Sequence, residues 1–393
     1  MIAWVVAAVA VFYSLWSVAL ALLFAARLQL PGHPSAARVT LILPATGPLP
    51  GLEDLLTALS VQSLQPLRLI VAVESVEDPA YTRVTTVAER FTRLNVELVV
   101  AGLSLLRSQK CTNLLGALAH LATNDEYIVL LDADIRPQPW WLAALVGPLA
   151  AGRADIVNGY RWPVPKALTL GAALISGIDR AIAVLPRVAQ TRPIWGGSLA
   201  LTRHALKVLD LPRTIGRTLT EDLPIGDCAA EAGLRVLTRR AIRPLTPLDG
   251  NLGDLWRFGR RQYQLVRLYR RGLWRFAGFV VTSDLVARVA LLSAVTVSGV
   301  ALAAILVIAA LGSITTEIRL AIGWRLGSRD GIGFRLSQHL LVWAFLPVPA
   351  FHASVIWAGS VTSPVRWAHF RYMVDRNGQV MEATRLPYPG PLT

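Results

Sequence analysis

Two aspartates one residue apart, Asp132 and Asp134, directly follow the apolar run Tyr127 to Leu131. Five consecutive apolar residues of this kind suit a strand buried on both faces. At the end of such a strand the two carboxylates share a side and can converge on one hard cation. Aspartate is seldom left in a core unless paired or metal-bound, so the pair asks for a partner. A solvated Asp-rich turn is the plain alternative, and these two residues alone leave both readings open. Other acids fall at comparable places. Glu74 closes the run Leu67 to Val73 and Asp78 follows shortly after, while Glu221 and Asp222 stand where Thr218-Leu-Thr-Glu-Asp222 opens a helix. Thr220 suits the N-cap there, and acids suit the positive end of a helix dipole. In Ile194-Trp-Gly-Gly-Ser, two glycines allow a ligand close to the backbone. The six histidines give no support to a metal or nucleophile site, and Cys111 and Cys228 make no disulfide framework.

The elements that must position these groups alternate. Arg38 to Pro44 reads as a strand ended by proline, Gly51 to Leu64 as a helix with Leu52, Leu55, Leu56 and Leu59 on one face, and Leu67 to Val73 as a second strand. A helix over Thr82 to Phe91, a strand over Asn95 to Val100, a helix over Cys111 to Leu121 and the Tyr127 strand follow. A further helix and strand span Trp140 to Val157, then a looser, proline-containing stretch runs to about Arg192. This order predicts an α/β domain with a mostly parallel, Rossmann-like sheet. Ligands of such sheets bind beyond the carboxyl ends of the strands, where Glu74, Asp78, Asp132 and Asp134 all fall.

Composition points to a membrane. Of 393 residues, 54% are hydrophobic and only 16% charged, against about 25% charged in soluble proteins. The net charge of +14 suits an anionic bilayer face or a phosphorylated ligand; no nucleic-acid-binding signature accompanies it. Ile2 to Ala26 is long enough to cross a bilayer, and Arg27 and Arg38 follow it. The positive-inside bias then places the following domain in the cytoplasm, with a bacterial inner membrane as the expected location. Asp254 to Phe276 interleaves seven arginines with aromatic residues, which predicts an interfacial helix. Val280 to Leu311 suits a span with an interfacial turn or two tight spans. Leu336 to Val361, broken by Pro347 and Pro349, suits a re-entrant or a plain span. The expected division is an anchor over 1–27, the α/β domain over 35–250 after the linker Pro31 to Pro34, an interfacial helix over 251–278, membrane segments over 279–362 and a basic cytoplasmic tail over 363–393.

Taken in order, Arg38-Val-Thr-Leu-Ile-Leu-Pro44, Val73-Glu-Ser-Val-Glu-Asp-Pro-Ala80, Lys110-Cys-Thr-Asn113, Asp132-Ala-Asp134, Gly196-Gly-Ser198, Glu221-Asp222 and Gln264-Leu-Val-Arg267 resemble a known family. They are similar to the inverting family 2/21 glycosyltransferases of GT-A fold, nearest the ceramide glucosyltransferase and hopanoid-associated branch. The resemblance covers about residues 1–380.

It implies that Glu74 and Asp78 contact the nucleoside of a UDP-sugar and that Lys110 and Asn113 contact the nucleotide or sugar. It further implies that Asp132 and Asp134 hold Mg²⁺ or Mn²⁺ on the donor diphosphate, and that Asp222 is the catalytic base. Gln264 and Arg267 match a (Q/R)xxRW element in which Arg267 grips the departing diphosphate. This chain has Leu268 where the pattern has Trp. The implied reaction moves a hexose from UDP-glucose or a UDP-GlcNAc type donor to a lipid hydroxyl. A processive polysaccharide synthase and a non-catalytic membrane protein are the rivals.

Overall fold

A computed structural model describes residues 2–31, 37–65, 67–188, 192 and 194–388. Most of the proline linker expected at Pro31 to Pro34 lies outside them. The chain folds as two interleaved units. One comprises Gln29–Arg161, Arg187–Thr246 and Thr362–Thr393; the other comprises Met1–Leu28, Trp162–Pro186 and Pro247–Val361. This differs from the contiguous segments expected from sequence.

The first unit is α/β. Its strands are β1 (Val39–Pro44), β2 (Leu67–Val73), β3 (Leu94–Val100), β4 (Tyr127–Leu131), β5 (Ile156–Asn158), β6 (Ser198–Thr202) and β7 (Val236–Thr238), in the spatial order β3-β2-β1-β4-β6-β5-β7. Every strand runs parallel to β1 except β6, which lies antiparallel between β4 and β5. The apolar runs of β1, β2 and β4 carry no alternation because both faces are covered. Leu41, Leu43, Leu69, Val71, Val129 and Leu131 face one core, with Leu52, Leu55, Leu56 and Leu59 of the helix Leu52–Ser60. Ile42, Ile70, Ile128 and Leu130 face the other, with Cys111 and Leu114 of the helix Gln109–Leu118. The carboxyl ends of β1 to β5 share one edge. Since Leu131 pairs with Ser198, the glycines before β6 reach that edge from the opposite direction.

Residues expected to be a basic tail instead form a three-stranded antiparallel meander: β8 (Val365–Trp367), β9 (Phe370–Val374) and β10 (Val380–Arg385). Phe370 and Tyr372 are buried while Arg371 between them is exposed, so the arginines occupy the outer face of a strand.

The second unit is helical. Ile2–Ala26, Arg271–Ala294 and Gly299–Arg325 are each long and apolar enough to cross a membrane. Two shorter apolar helices, Ile332–Trp343 and Pro347–Ala358, bend by 84° at the break before Pro347. The arginine-rich stretch expected as one helix is two. Leu252–Tyr269 starts with an Asn251/Asp254 capping box, and the chain leaves helical geometry at Arg270 before Arg271–Ala294 begins. The stretch read as loose holds the helix Leu170–Ala183. Its glycines serve close packing: a Cβ on Gly171 would meet the backbone of Leu252 at 2.8 Å. A buried, two-pronged ion pair between Arg180 and Asp330 (2.7 and 2.8 Å) ties this helix to the turn before Ile332.

Candidate active site at the carboxyl edge of the sheet

Lys110 is the hub. It is the second residue of the helix Gln109–Leu118, whose first turn is capped by Ser108 accepting from the Cys111 N–H. Its Nζ reaches Asp132 Oδ1 at 2.6 Å and Glu221 Oε1 at 2.7 Å, with the Trp367 ring 5.8 Å away. Burial alone would lower the lysine pKa. The two carboxylates outweigh it and hold the pKa well above the ordinary value, so Lys110 is a permanent cation. Burial pushes the Glu221 carboxyl up; Lys110 opposes this, while Asp222 and Asp132 add to it. Glu221 is 1% exposed, and its Oε2 has no partner among the described residues. Cys111, next to the hub, is not a nucleophile. Burial, then the Glu221 charge, push its thiol up to about 12.

The two glycines seat these acids. A Cβ on Gly196 would collide with the Glu221 carboxylate, and one on Gly197 would meet Asp132 Oδ2 and the Trp195 ring. The Asp132 N–H donates to the Gly197 carbonyl (3.4 Å), and the Trp141 indole N–H holds the Ser198 hydroxyl (2.6 Å). The glycine pair lies in the turn before β6.

Asp134 is exposed by area yet sits in a concave site. Withdrawal of solvent and the Asp132 charge raise its pKa, against Arg161 and Lys110. Asp222 begins the helix Asp222–Glu231 and is half-buried. Its Oδ1 accepts from the Thr220 hydroxyl and the Leu223 N–H, both at 2.7 Å. Thr220 therefore holds Asp222, where an N-cap was expected. Asp132 and Asp134 offer hard oxygen ligands, but no three His, Cys, Asp or Glu side chains form a metal cage among the described residues. The donor set fits a divalent ion that brings phosphate and water ligands with it.

Three expected nucleotide contacts have other partners here. Asp78 is buried, caps the helix Pro79–Ala88 by accepting from Ala80 N, and accepts from Gly47 N (2.8 Å) and the Thr46 hydroxyl (2.9 Å). Asn113 is buried, donates to the Ala45 carbonyl (2.7 Å) and accepts from Gln109 (2.7 Å). Both shape the loop after β1, because a buried amide or carboxylate must satisfy its own polar atoms first. Glu74 is 1% exposed and gripped by the meander end. His369 Nε2 lies at 2.9 Å, the Tyr388 hydroxyl at 2.8 Å and Arg385 at 2.7 Å. Burial pushes the Glu74 carboxyl up; the hydrogen bonds from His369 and Tyr388, then the charges of His369 and Arg385, bring it below the ordinary range.

The meander thus walls the site. Trp367 lies under Lys110, Tyr372 accepts from the Gln109 N–H (3.0 Å), and His369, Arg385 and Tyr388 close on Glu74. None of these was singled out from sequence; the alternation around Phe370 and Tyr372 was the available signal.

Gln264 and Arg267 belong to the helical unit. Gln264 is buried and donates to the Val361 carbonyl (2.7 Å); Arg267 lies 5.2 Å from the Trp274 ring centre, and Leu268 is buried. The aromatic ring beside this arginine is that of Trp274, on the following helix. Its own N–H is held by the Ile356 carbonyl (3.1 Å).

The family model of glycosyl transferase family 21 matches residues 2–380. Among curated proteins, none matches the chain. The chain is similar to a mannosyltransferase from Pyrobaculum calidifontis solved with GDP-Man and Mn²⁺. Identity there is 17% over 91% of this chain and 98% of that one, with a TM-score of 0.44. It is similar to glucosyl-3-phosphoglycerate synthase from Mycobacterium tuberculosis solved with Mn²⁺ and UDP-glucose (16%, 59% and 78%, 0.36). A third likeness is to S. aureus TarS 1–349 with UDP-GlcNAc (10%, 90% and 98%, 0.39).

Proposed function

The chain belongs to glycosyl transferase family 21 and is a glycosyltransferase, and from that premise we propose that it moves a hexose from a UDP-sugar to a lipid hydroxyl with inversion. The observation that carries this reading is the cluster of Lys110, Asp132 and Glu221, with Asp222 as the next residue, beyond the parallel strands. Asp132 and Asp134 would hold Mg²⁺ or Mn²⁺ on the donor diphosphate; such an ion, when bound, neutralises charge building on the leaving nucleotide. Lys110 stands ready as a second cation for the same phosphates, at a helix N-terminus whose amides favour anions. Asp78 and Asn113 act through the loop Ala45 to Gly47 and orient the donor indirectly.

Asp222 is the proposed base. One of its oxygens is fixed by Thr220 and Leu223, which leaves the other to take the acceptor proton as that hydroxyl attacks the anomeric carbon. A single displacement inverts the centre and needs no second nucleophilic carboxylate. A lipid acceptor accords with three membrane-length helices in the same chain. The arginines after the first helix accord with a cytoplasmic catalytic unit in a bacterial inner membrane.

The test is incubation of the full chain in detergent or nanodiscs with a panel of UDP-sugars and extracted lipids, read by mass spectrometry of the lipid fraction. A hexose adduct that vanishes with EDTA and with Asp222→Asn supports the reading. Long polysaccharide, or transfer undiminished in EDTA, overturns it.

A further inference from the structure

A cavity of about 330 Å³ lies wholly within the helical unit, lined from six of its helices and the turns beside them. Most of its wall is apolar, but polar side chains also line it, Ser17, Asp284, Arg288 and Arg319 among them. Asp284 pairs with Arg288 through Oδ2 (2.9 Å), and its Oδ1 is buried without a partner. Arg319 donates to the Ser17 hydroxyl (2.9 Å). Its Nε is buried and unpartnered, and no carboxylate lies within ion-pair distance of it among the described residues. Asp284 is thus matched by Arg288, while Arg319 has only the neutral Ser17 hydroxyl.

A charge with a buried, unpartnered N–H inside an apolar bundle is costly, and such residues ordinarily mark a ligand or ion site. A guanidinium with an open N–H suits a carboxylate or phosphate oxygen. The mouth carries Trp16 and Leu185, both exposed, so an apolar chain can leave toward the surrounding lipid. A mostly apolar wall that also presents the open Arg319 guanidinium suits an amphiphile.

We propose that this cavity binds an acidic amphiphile, its carboxylate or phosphate head on Arg319 and its chain running out past Trp16. The site is independent of the glycosyl transfer proposed above, and binding is read without donor present.

The experiment uses the full chain in neutral-lipid nanodiscs. Palmitate and phosphatidic acid are titrated against hexadecanol and diacylglycerol, with inorganic phosphate as a chainless arm. Both acidic amphiphiles should bind tenfold or more tightly than their neutral counterparts, and phosphate alone should not compete. Arg319→Gln should bring the acids down to the neutral level, and Arg319→Lys should keep most of the preference. Asp222→Asn should leave binding unchanged, which separates this site from the transferase reading. If Arg319→Gln does not fold, Ala181→Phe, which narrows the cavity without touching charge, should weaken binding of the acids. Equal binding of acid and alcohol, an unaffected Arg319→Gln, or full binding in Ala181→Phe would overturn the proposal.

Discussion

Lys110 explains why neighbouring acids of similar appearance have different fates. Glu221 is buried against the ammonium and cannot leave it cheaply; Asp222 is turned outward and fixed through one oxygen only. Asp222→Asn should therefore lower turnover by about 10²- to 10⁴-fold, the usual worth of a positioned base, while UDP-sugar affinity by calorimetry stays within a few-fold. Lys110→Met leaves Glu221 a buried charge without its cation. Loss of a buried partner costs about 3–5 kcal/mol, so the melting temperature and donor affinity should fall together. Gly196→Ala removes no chemical group, yet its methyl would occupy the Glu221 carboxylate position. Melting temperature and donor affinity should drop as in Lys110→Met, and unchanged values would show that Glu221 does not need its seat. Asp132-Ala-Asp134 was legible from sequence because two acids after an apolar run is a local signal. The grip on Glu221 was not, because Lys110 and Gly196 lie far from it in the chain and only the fold brings them there.

At the scale of elements, β1 to β4 and their helices were readable because each carries its own period and the connecting turns are short. The helix Leu170–Ala183 was hidden by glycines that serve packing, and the meander by arginines that lie on its outer face. The meander also carries a pH dependence. Glu74 titrates below the ordinary carboxylate value of 4.5, so its contribution is complete above that pH and is lost as acid takes it through the lower value. In thermal unfolding, the advantage of wild type over Glu74→Gln should hold from pH 7 to about 5 and shrink below 4.5. An advantage constant down to pH 3 would mean that packing of His369 and Tyr388, rather than charge, secures the contact.

For the whole molecule, sequence reasoning recovered the two kinds of structure, a parallel α/β unit and a set of membrane-length helices. It did not recover their interleaving, because helix and strand periods say nothing about which distant segments share a core. Trp162–Pro186 joins the helical unit, where Arg180 and Asp330 meet with side chains 3% and 7% exposed. Arg180→Gln would strand Asp330, so the helical unit should lose about 3–5 kcal/mol in a detergent denaturation series. An unchanged midpoint would show that apolar packing alone retains that segment.

The meander's place in the chain has a consequence for timing. Trp367, His369 and Tyr388 are translated only after residues 247–361, whereas the seven-stranded sheet beside which their own meander packs was begun some three hundred residues earlier. The wall beside Lys110 and Glu74 is therefore absent while residues 247–361 are still being made. A nascent chain stalled before Val365 would carry Asp132 and Asp222 but lack the wall beside them.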